Sequence, residues 1–200
     1  VAVLLELARI LPEATRPYVE IVLFDAEDSG NIEFWDWIVG SNYYVSQMSE
    51  TQIERTEAMI LADMVGDTNL TLLKETSSTD SLQNTVWNIA AGLGYSNAFL
   101  NSYGSSILDD HRPFLDVGIP SLDIIQHNPF PWYWHTLEDT PDKCSATSLE
   151  MVGQVIETFV VSQVNTGGIF PFDPPYLLLG IVALVIVLAA IGLYPRIRKG

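Results

Sequence analysis

The sequence predicts an α/β fold: a mixed, mostly parallel central sheet flanked by helices, followed by one C-terminal transmembrane helix. Three observations predict it. Short apolar runs rich in β-branched residues alternate with segments of helical spacing, the alternation that builds helix-covered parallel sheets. Several of those runs end in acidic clusters, as strands do when they deliver polar side chains to a sheet's carboxyl edge. The last apolar run, residues 176–194, is uncharged throughout.

Residues 1–11 (VAVLLELARIL) read as a buried helix already under way at its first residue, with no initiator Met and no N-cap. Further residues, and any export signal, are therefore expected upstream. Pro12 to Arg16 breaks the helix. Residues 18–24 (YVEIVLF) form a strand that runs into Asp25-Ala26-Glu27-Asp28-Ser29-Gly30. Residues 37–48 read as a helix, 58–61 as a second strand ending in Asp63-Met64-Val65-Gly66-Asp67, and 70–73 as a third. Residues 81–93 have helical spacing, closed by Gly94 as C-cap. Asp109-Asp110-His111 falls on a loop. Residues 121–125 form another strand, after the turn Gly118-Ile119-Pro120. A loop rich in proline and aromatics leads to His135. Residues 148–164 read as a helix, with Ser148 as N-cap and Glu150 in the first turn.

Four units follow from this: a folded domain at 1–164, a Gly/Pro linker at 165–175, a membrane helix at 176–194 and a basic tail at 195–200. At 1.5 Å per residue the helix is roughly 28 Å long, about the thickness of a bilayer's hydrocarbon core. Arg196, Arg198 and Lys199 follow it, and Asp173 is the nearest charge before it. The positive-inside rule then places the C-terminus in the cytoplasm and the domain outside, anchored by a single pass.

Twenty-five acidic residues against nine basic ones give a net charge of −16. Such a chain cannot neutralise phosphates, so nucleic acid is excluded as a partner. Cys144 is the only cysteine, which excludes an intrachain disulfide. Asn69-Leu70-Thr71 is a sequon. An acidic cluster at one strand end is commonly a solvated cap. Three of them, joined by His135, are what a metal site needs, because its ligands converge from separate segments.

Four motifs, in order, resemble the di-zinc exopeptidases of the aminopeptidase Y type, family twenty-eight of the metallopeptidases, which includes the glutaminyl cyclases. They are FDAEDSG (24–30), LADMVGD (61–67), DDHRPF with GIPSLDI (109–114 and 118–124), and WHTLEDTPDK (134–143). VAVLLELARIL also resembles the helix after the family's first metal-binding loop. The resemblance implies a zinc exopeptidase-like fold and makes residues 1–164 a partial catalytic domain. It implies Glu27 as general acid/base, Asp28 and His135 as zinc ligands, Asp63 as a second-metal ligand or its hydrogen-bonded relic, and one or two zinc ions. The chemistry agrees: a carboxylate beside zinc-bound water can shuttle its proton. The family usually has Glu where this chain has Asp28. Its first His-x-Asp ligand and bridging Asp lie upstream of the helix that begins here, which implies weak zinc binding.

The activity expected first is zinc-dependent aminopeptidase hydrolysis of the first peptide bond. The alternative is glutaminyl-peptide cyclotransferase activity, which forms pyroglutamate and releases ammonia. Both take peptide or protein N-termini as substrate. The cyclase branch is suggested by Asp109, expected to bond the catalytic Glu27, and by a pocket wall of Phe130 and Trp134. Trp35 is a further pocket candidate, as is Asp123, where animal cyclases carry His. A metal-free, receptor-like ectodomain is the third reading. Among other residues, His111 reads as a structural hydrogen-bonder, His127 as an exposed loop residue and Cys144 as a small buried residue. Tyr43 and Tyr44 read as helix-packing residues and Trp87 as core.

Overall fold

The computed structural model describes residues 1–30, 32–166 and 184–189, with side chains as far as residue 164. Its elements run α1 (Ala2–Ile10), β1 (Val19–Phe24), α2 (Val39–Gln47), α3 (Glu50–Arg55), β2 (Ala58–Asp63) and β3 (Leu72–Lys74). They continue with α4 (Asp80–Gly92), β4 (Phe99–Tyr103), α5 (Arg112–Asp116), β5 (Ser121–Ile125), α6 (Ala146–Thr166) and β6 (Leu184–Ala189). One sheet has the order β1-β6-β2-β5 and every ladder in it is parallel. A second sheet pairs β3 with β4, also in parallel. This is the α/β architecture expected.

β2 is buried at every residue, as a strand covered by helices on both faces must be. Its side chains alternate between two cores. Ala58, Ile60 and Ala62 pack on one side with residues of α1, α4 and α6, joined from β5 by Leu122 and Ile124. Met59 and Leu61 pack on the other with Phe24, Val45, Phe114 and Ile119. Leu61 is in register with Asp123, so Asp63 and Asp123 lie on that second face, toward α2 and α5. There the rings of Phe24, Tyr44 and Phe114 meet at centroid distances of 5.5 to 6.0 Å.

Several elements differ from expectation. α1 is amphipathic: Val3, Leu4, Leu7 and Leu11 are buried, whereas Leu5 is 62% exposed. The expected helix 37–48 begins only at Val39, and α3 follows it, set off by a capping box between Ser49 and Gln52. Gly94 has φ +87° and donates to the Ala91 carbonyl, the left-handed stop its lack of a Cβ permits. α6 starts at Ala146, so Ser148 lies inside its first turn and its hydroxyl donates to the Asp67 carbonyl. Tyr43 is exposed, and only Tyr44 packs inward. Cys144 is exposed, whereas His127 is buried, its Nδ1 3.1 Å from the Ile125 carbonyl oxygen.

The largest correction concerns the expected membrane helix. Residues 184–189 form β6, parallel to both β1 and β2. No helix among the described residues is long and apolar enough to cross a membrane. An uncharged run rich in Val, Ile and Leu suits a strand buried on both faces as well as a membrane helix, and periodicity does not separate the two. The rest of 176–194, the tail 195–200 and most of the linker lie outside the described residues.

Phe114 is fully buried at the centre of the aromatic cluster. Replacing it with alanine is expected to cost about 3–5 kcal/mol of stability. Urea unfolding checks this, and a loss below about 1 kcal/mol would contradict the packing described.

Candidate active site

The carboxyl ends of β1 and β2 turn into loops that carry acids. After β1, the chain makes a closed loop from Asp25 to Gly40. Ile38, Val39 and Gly40 donate their N–H groups to the carbonyls of Glu27, Ala26 and Asp25 at 2.8, 3.1 and 3.1 Å. The Ser29 hydroxyl bridges the Ala26 and Asp36 carbonyls. Gly40 is required because a Cβ there would collide with the Asp25 backbone. These bonds hold Glu27 at the rim, next to Asp28.

Among the described residues, five non-glycine residues adopt left-handed backbone: Phe34 and Ile38 within this loop, and Ala26 (φ 56°), Met64 (φ 49°) and His135 (φ 58°). Each of the last three adjoins or is an expected site residue. Such conformations cost on the order of 1 kcal/mol each and persist only where the surroundings impose them.

The acids share one space. Asp63, Asp109, Asp110 and Asp123 are each at most 8% exposed. Burial, then the charge of Asp63, Asp110 and Asp28, pushes Glu27 up to about 8. Burial, opposed by the Met64 N–H and reinforced by Asp110 and Asp28, takes Asp63 to about 7. Burial raises Asp110 to about 6. Asp109 lies well above the ordinary aspartate range through burial and the charges of Asp123, Asp63 and Glu27. Asp123 is raised in the same way by burial and by Asp63, Glu75 and Asp110. Neither carboxyl oxygen of Asp110 or Asp123 has a hydrogen-bond partner. The Ser41 hydroxyl beside Asp110 donates instead to the Ile38 carbonyl.

Behind this group lies a second arrangement that sequence reasoning missed. Burial would raise Glu75, but hydrogen bonds involving His111, Ser77 and Ser78 hold it well below the usual carboxylate range. It accepts the N–H groups of Ser77, Ser78 and Ile107 and both serine hydroxyls. Because Ser77 gives its one hydroxyl proton to Glu75, it accepts from His111 Nε2 at 3.0 Å. That leaves His111 Nδ1 facing Asp123 at 3.8 Å. The only signal in the sequence was the ETSS run after β3, which reads as an ordinary loop.

His135 Nε2 lies 3.1 Å from Asp28 Oδ2, with both side chains about one-third exposed. Trp134 stacks on the His135 ring at 3.8 Å, and Phe130 stacks on Trp134 at 4.2 Å. This loop is tied down through Asp67, which accepts the Tyr133 hydroxyl, the Gln126 amide and the Asn69 N–H. The structure therefore brings together Glu27, Asp28, Asp63, Asp109, Asp123 and His135, and adds Asp110. Phe130 and Trp134 wall the His135 side. Asp123, expected at the pocket surface, is wholly buried within the carboxyl group, and Trp35 is half exposed and outside the ring stack.

A zinc ion in a tetrahedral shell, with bonds of 2.0–2.1 Å, has ligand atoms about 3.3 Å apart. The Asp28–His135 distance fits two corners of such a shell. A catalytic zinc needs three protein ligands, and no group of three or more metal-binding side chains is assembled among the described residues. The residues described do not make a complete zinc centre.

A parallel sheet whose carboxyl edge collects carboxylates and an imidazole defines the class of α/β exopeptidase-type proteins. Comparison with known proteins makes the assignment specific. Peptidase family M28 matches residues 1–160, and the chain belongs to that family. It is 31% identical over 176 residues to aminopeptidase YwaD of Bacillus subtilis, covering 82% of this chain and 36% of that protein. The structure of Porphyromonas gingivalis glutaminyl cyclase superposes with a TM-score of 0.63 at 34% identity, over 70% of this chain and 54% of that one. A Zn-dependent exopeptidase from Parabacteroides distasonis gives 0.61 at 33%, over 68% and 52%. The chain thus spans between about a third and a half of these relatives.

Two predictions follow from the geometry. Asp109, Asp110 and Asp123 bind protons more tightly folded than unfolded, because their folded pKa values are raised. Their contribution to stability is full below about pH 4 and is lost as pH rises through 6 and beyond. Thermal melts in chelator should show Tm falling by on the order of 5 °C between pH 5 and 8, with a shallower fall in Asp123→Asn. A Tm that rises across this range would contradict the buried carboxyl group. Secondly, two donors give weak zinc affinity, with a Kd on the order of micromolar or weaker, abolished in His135→Ala. Competition with a chromogenic chelator measures it, and nanomolar binding would mean that further ligands assemble.

Proposed function

We propose that this chain forms the acid–base and pocket side of a zinc-dependent enzyme acting on peptide N-termini, converting N-terminal glutamine to pyroglutamate and releasing ammonia. The observation that carries this reading is the set of carboxyl groups gathered beside Glu27, with Asp63, Asp109, Asp110 and Asp123 each at most 8% exposed, where burial and the charges of Asp63, Asp110 and Asp28 raise its affinity for a proton. Cyclisation requires a proton to move within the substrate, from the attacking amine to the leaving nitrogen. Glu27 is placed to do this as general base and then general acid.

The neutral α-amine of glutamine attacks its own γ-carbonyl carbon, forming the ring C–N bond. Glu27 accepts the proton the amine sheds. It returns that proton to the γ-amide nitrogen as the C–N bond to it breaks, and ammonia leaves. Asp63, Asp110 and Asp28 act on Glu27 by their charge and raise its affinity for the proton in transit. Phe130 and Trp134 form an apolar wall beside His135, which shields the reacting carbonyl from water. The likeness to Porphyromonas gingivalis glutaminyl cyclase supports the reading. Asp28 and His135, together with the Zn-dependent exopeptidase neighbour, support zinc as cofactor.

A second reading is aminopeptidase hydrolysis, favoured by the 31% identity to YwaD. Glu27 would then take its proton from a water molecule attacking the first peptide bond. The two activities share residues and differ in the nucleophile that reaches the carbonyl.

The full chain with added zinc, offered a peptide beginning Gln-Leu, tests both. Ammonia with a pyroglutamyl product is the expected result, and Glu27→Gln should lower the rate about 10²-fold or more. Free glutamine in place of ammonia would establish the second reading. Neither product, with wild type and Glu27→Gln alike, would overturn the catalytic proposal.

A further inference from the structure

We propose that an uncharged cavity beside the Phe130–Trp134–His135 stack is a downstream subsite. It would take an apolar or aromatic side chain from the third residue of an extended peptide, and the inference rests on the site's action at peptide N-termini. The cavity has a volume of about 430 Å³, within the range of small-ligand sites. Pro129, Phe130, Pro131 and Trp132 line it together with Asn69 and Asn128. No charged side chain lines it, in a chain of net charge −16.

Its walls are organised before any ligand arrives. Gln126, at the back, spends its amide on the Thr71 N–H and on Asp67, both of which fix the loops on either side. Trp132 is 73% exposed, with its ring in edge contact with Tyr133 at 5.6 Å and 6.0 Å from Lys143 Nζ. An aromatic face open to solvent in this way gains by being covered.

Position assigns the residue that binds. Phe130 belongs both to the cavity wall and to the stack, two ring spacings of 4.2 and 3.8 Å from His135. An extended peptide advances about 3.3 Å per residue. With its N-terminal residue at His135, its third residue reaches Phe130. The residues that line the cavity carry no charge, and the nearby Lys143 ammonium lies over the Trp132 ring and beside the Asp142 carboxylate, so a charged side chain would lose hydration with little compensation.

The test compares Gln-Ala-NH2, Gln-Ala-Phe-NH2 and Gln-Ala-Asp-NH2 on the full chain with zinc. Turnover is followed by ammonia release and binding by calorimetry. The expected result is a kcat/KM about tenfold higher for the Phe peptide than for the other two, with Trp132→Ala removing that gain and leaving Gln-Ala-NH2 unchanged. Should no peptide turn over, tighter binding of the Phe peptide that Trp132→Ala abolishes would sustain the subsite while the catalytic reading fails. Equal values for all three peptides, an equal loss on all three in Trp132→Ala, or no binding would overturn the proposal.

Discussion

The structure is organised around a single electrostatic constraint: several carboxyl groups are gathered at one sheet edge and removed from water. Among the described residues, the charges that act on Asp109 and Asp123 are those of other acids, and burial raises Asp110. Carboxylates cannot all ionise in such a space, so the group retains protons. A site of this kind is a reservoir, able to receive one proton and release it again with little reorganisation. Glu27 stands at its edge, partly exposed.

Holding that arrangement requires backbone that would not form unaided. Ala26, Met64 and His135 take left-handed conformations next to or at the acids they position. The energy comes from apolar packing elsewhere: Met59, Ile60 and Leu61 are wholly buried just before the Asp63 turn. Burying each contributes about 1.5–3 kcal/mol, which exceeds the strain of one such turn. Asp67 then ties the turn after β2 to the aromatic loop through Tyr133 and Gln126, so the two halves of the site share one anchor.

Much of this was legible because it rests on local pattern. The β1 and β2 strands, Gly94 as a helix stop and the acids at the strand ends are each written in a few adjacent residues. What was not legible depends on distant partners. β4 and α5 have no strong periodicity and form because β3 and the aromatic core accept them. His127 reads as a loop residue yet is buried, since its Nε2 accepts the Ser105 N–H from a segment 22 residues away. Glu75 gave no signal, because its role comes from a fold of the chain that returns Ile107 to it. The run at 184–189 failed differently: one apolar pattern fits two environments, and only the neighbouring strands decide between them.

Cyclisation and hydrolysis of a peptide N-terminus need the same base, the same pocket wall and the same proton path. What separates them is whether water can reach the carbonyl in competition with the substrate's own amine. On the proposed function, that control falls to the aromatic loop. Its ring stack adjoins His135, while the loop is tied to Asp67 through Tyr133. Proton transfer and water exclusion would then fall to separate parts of the chain. A change in the loop can alter which nucleophile succeeds without disturbing the carboxyl group, and one family can hold both activities on a common sheet.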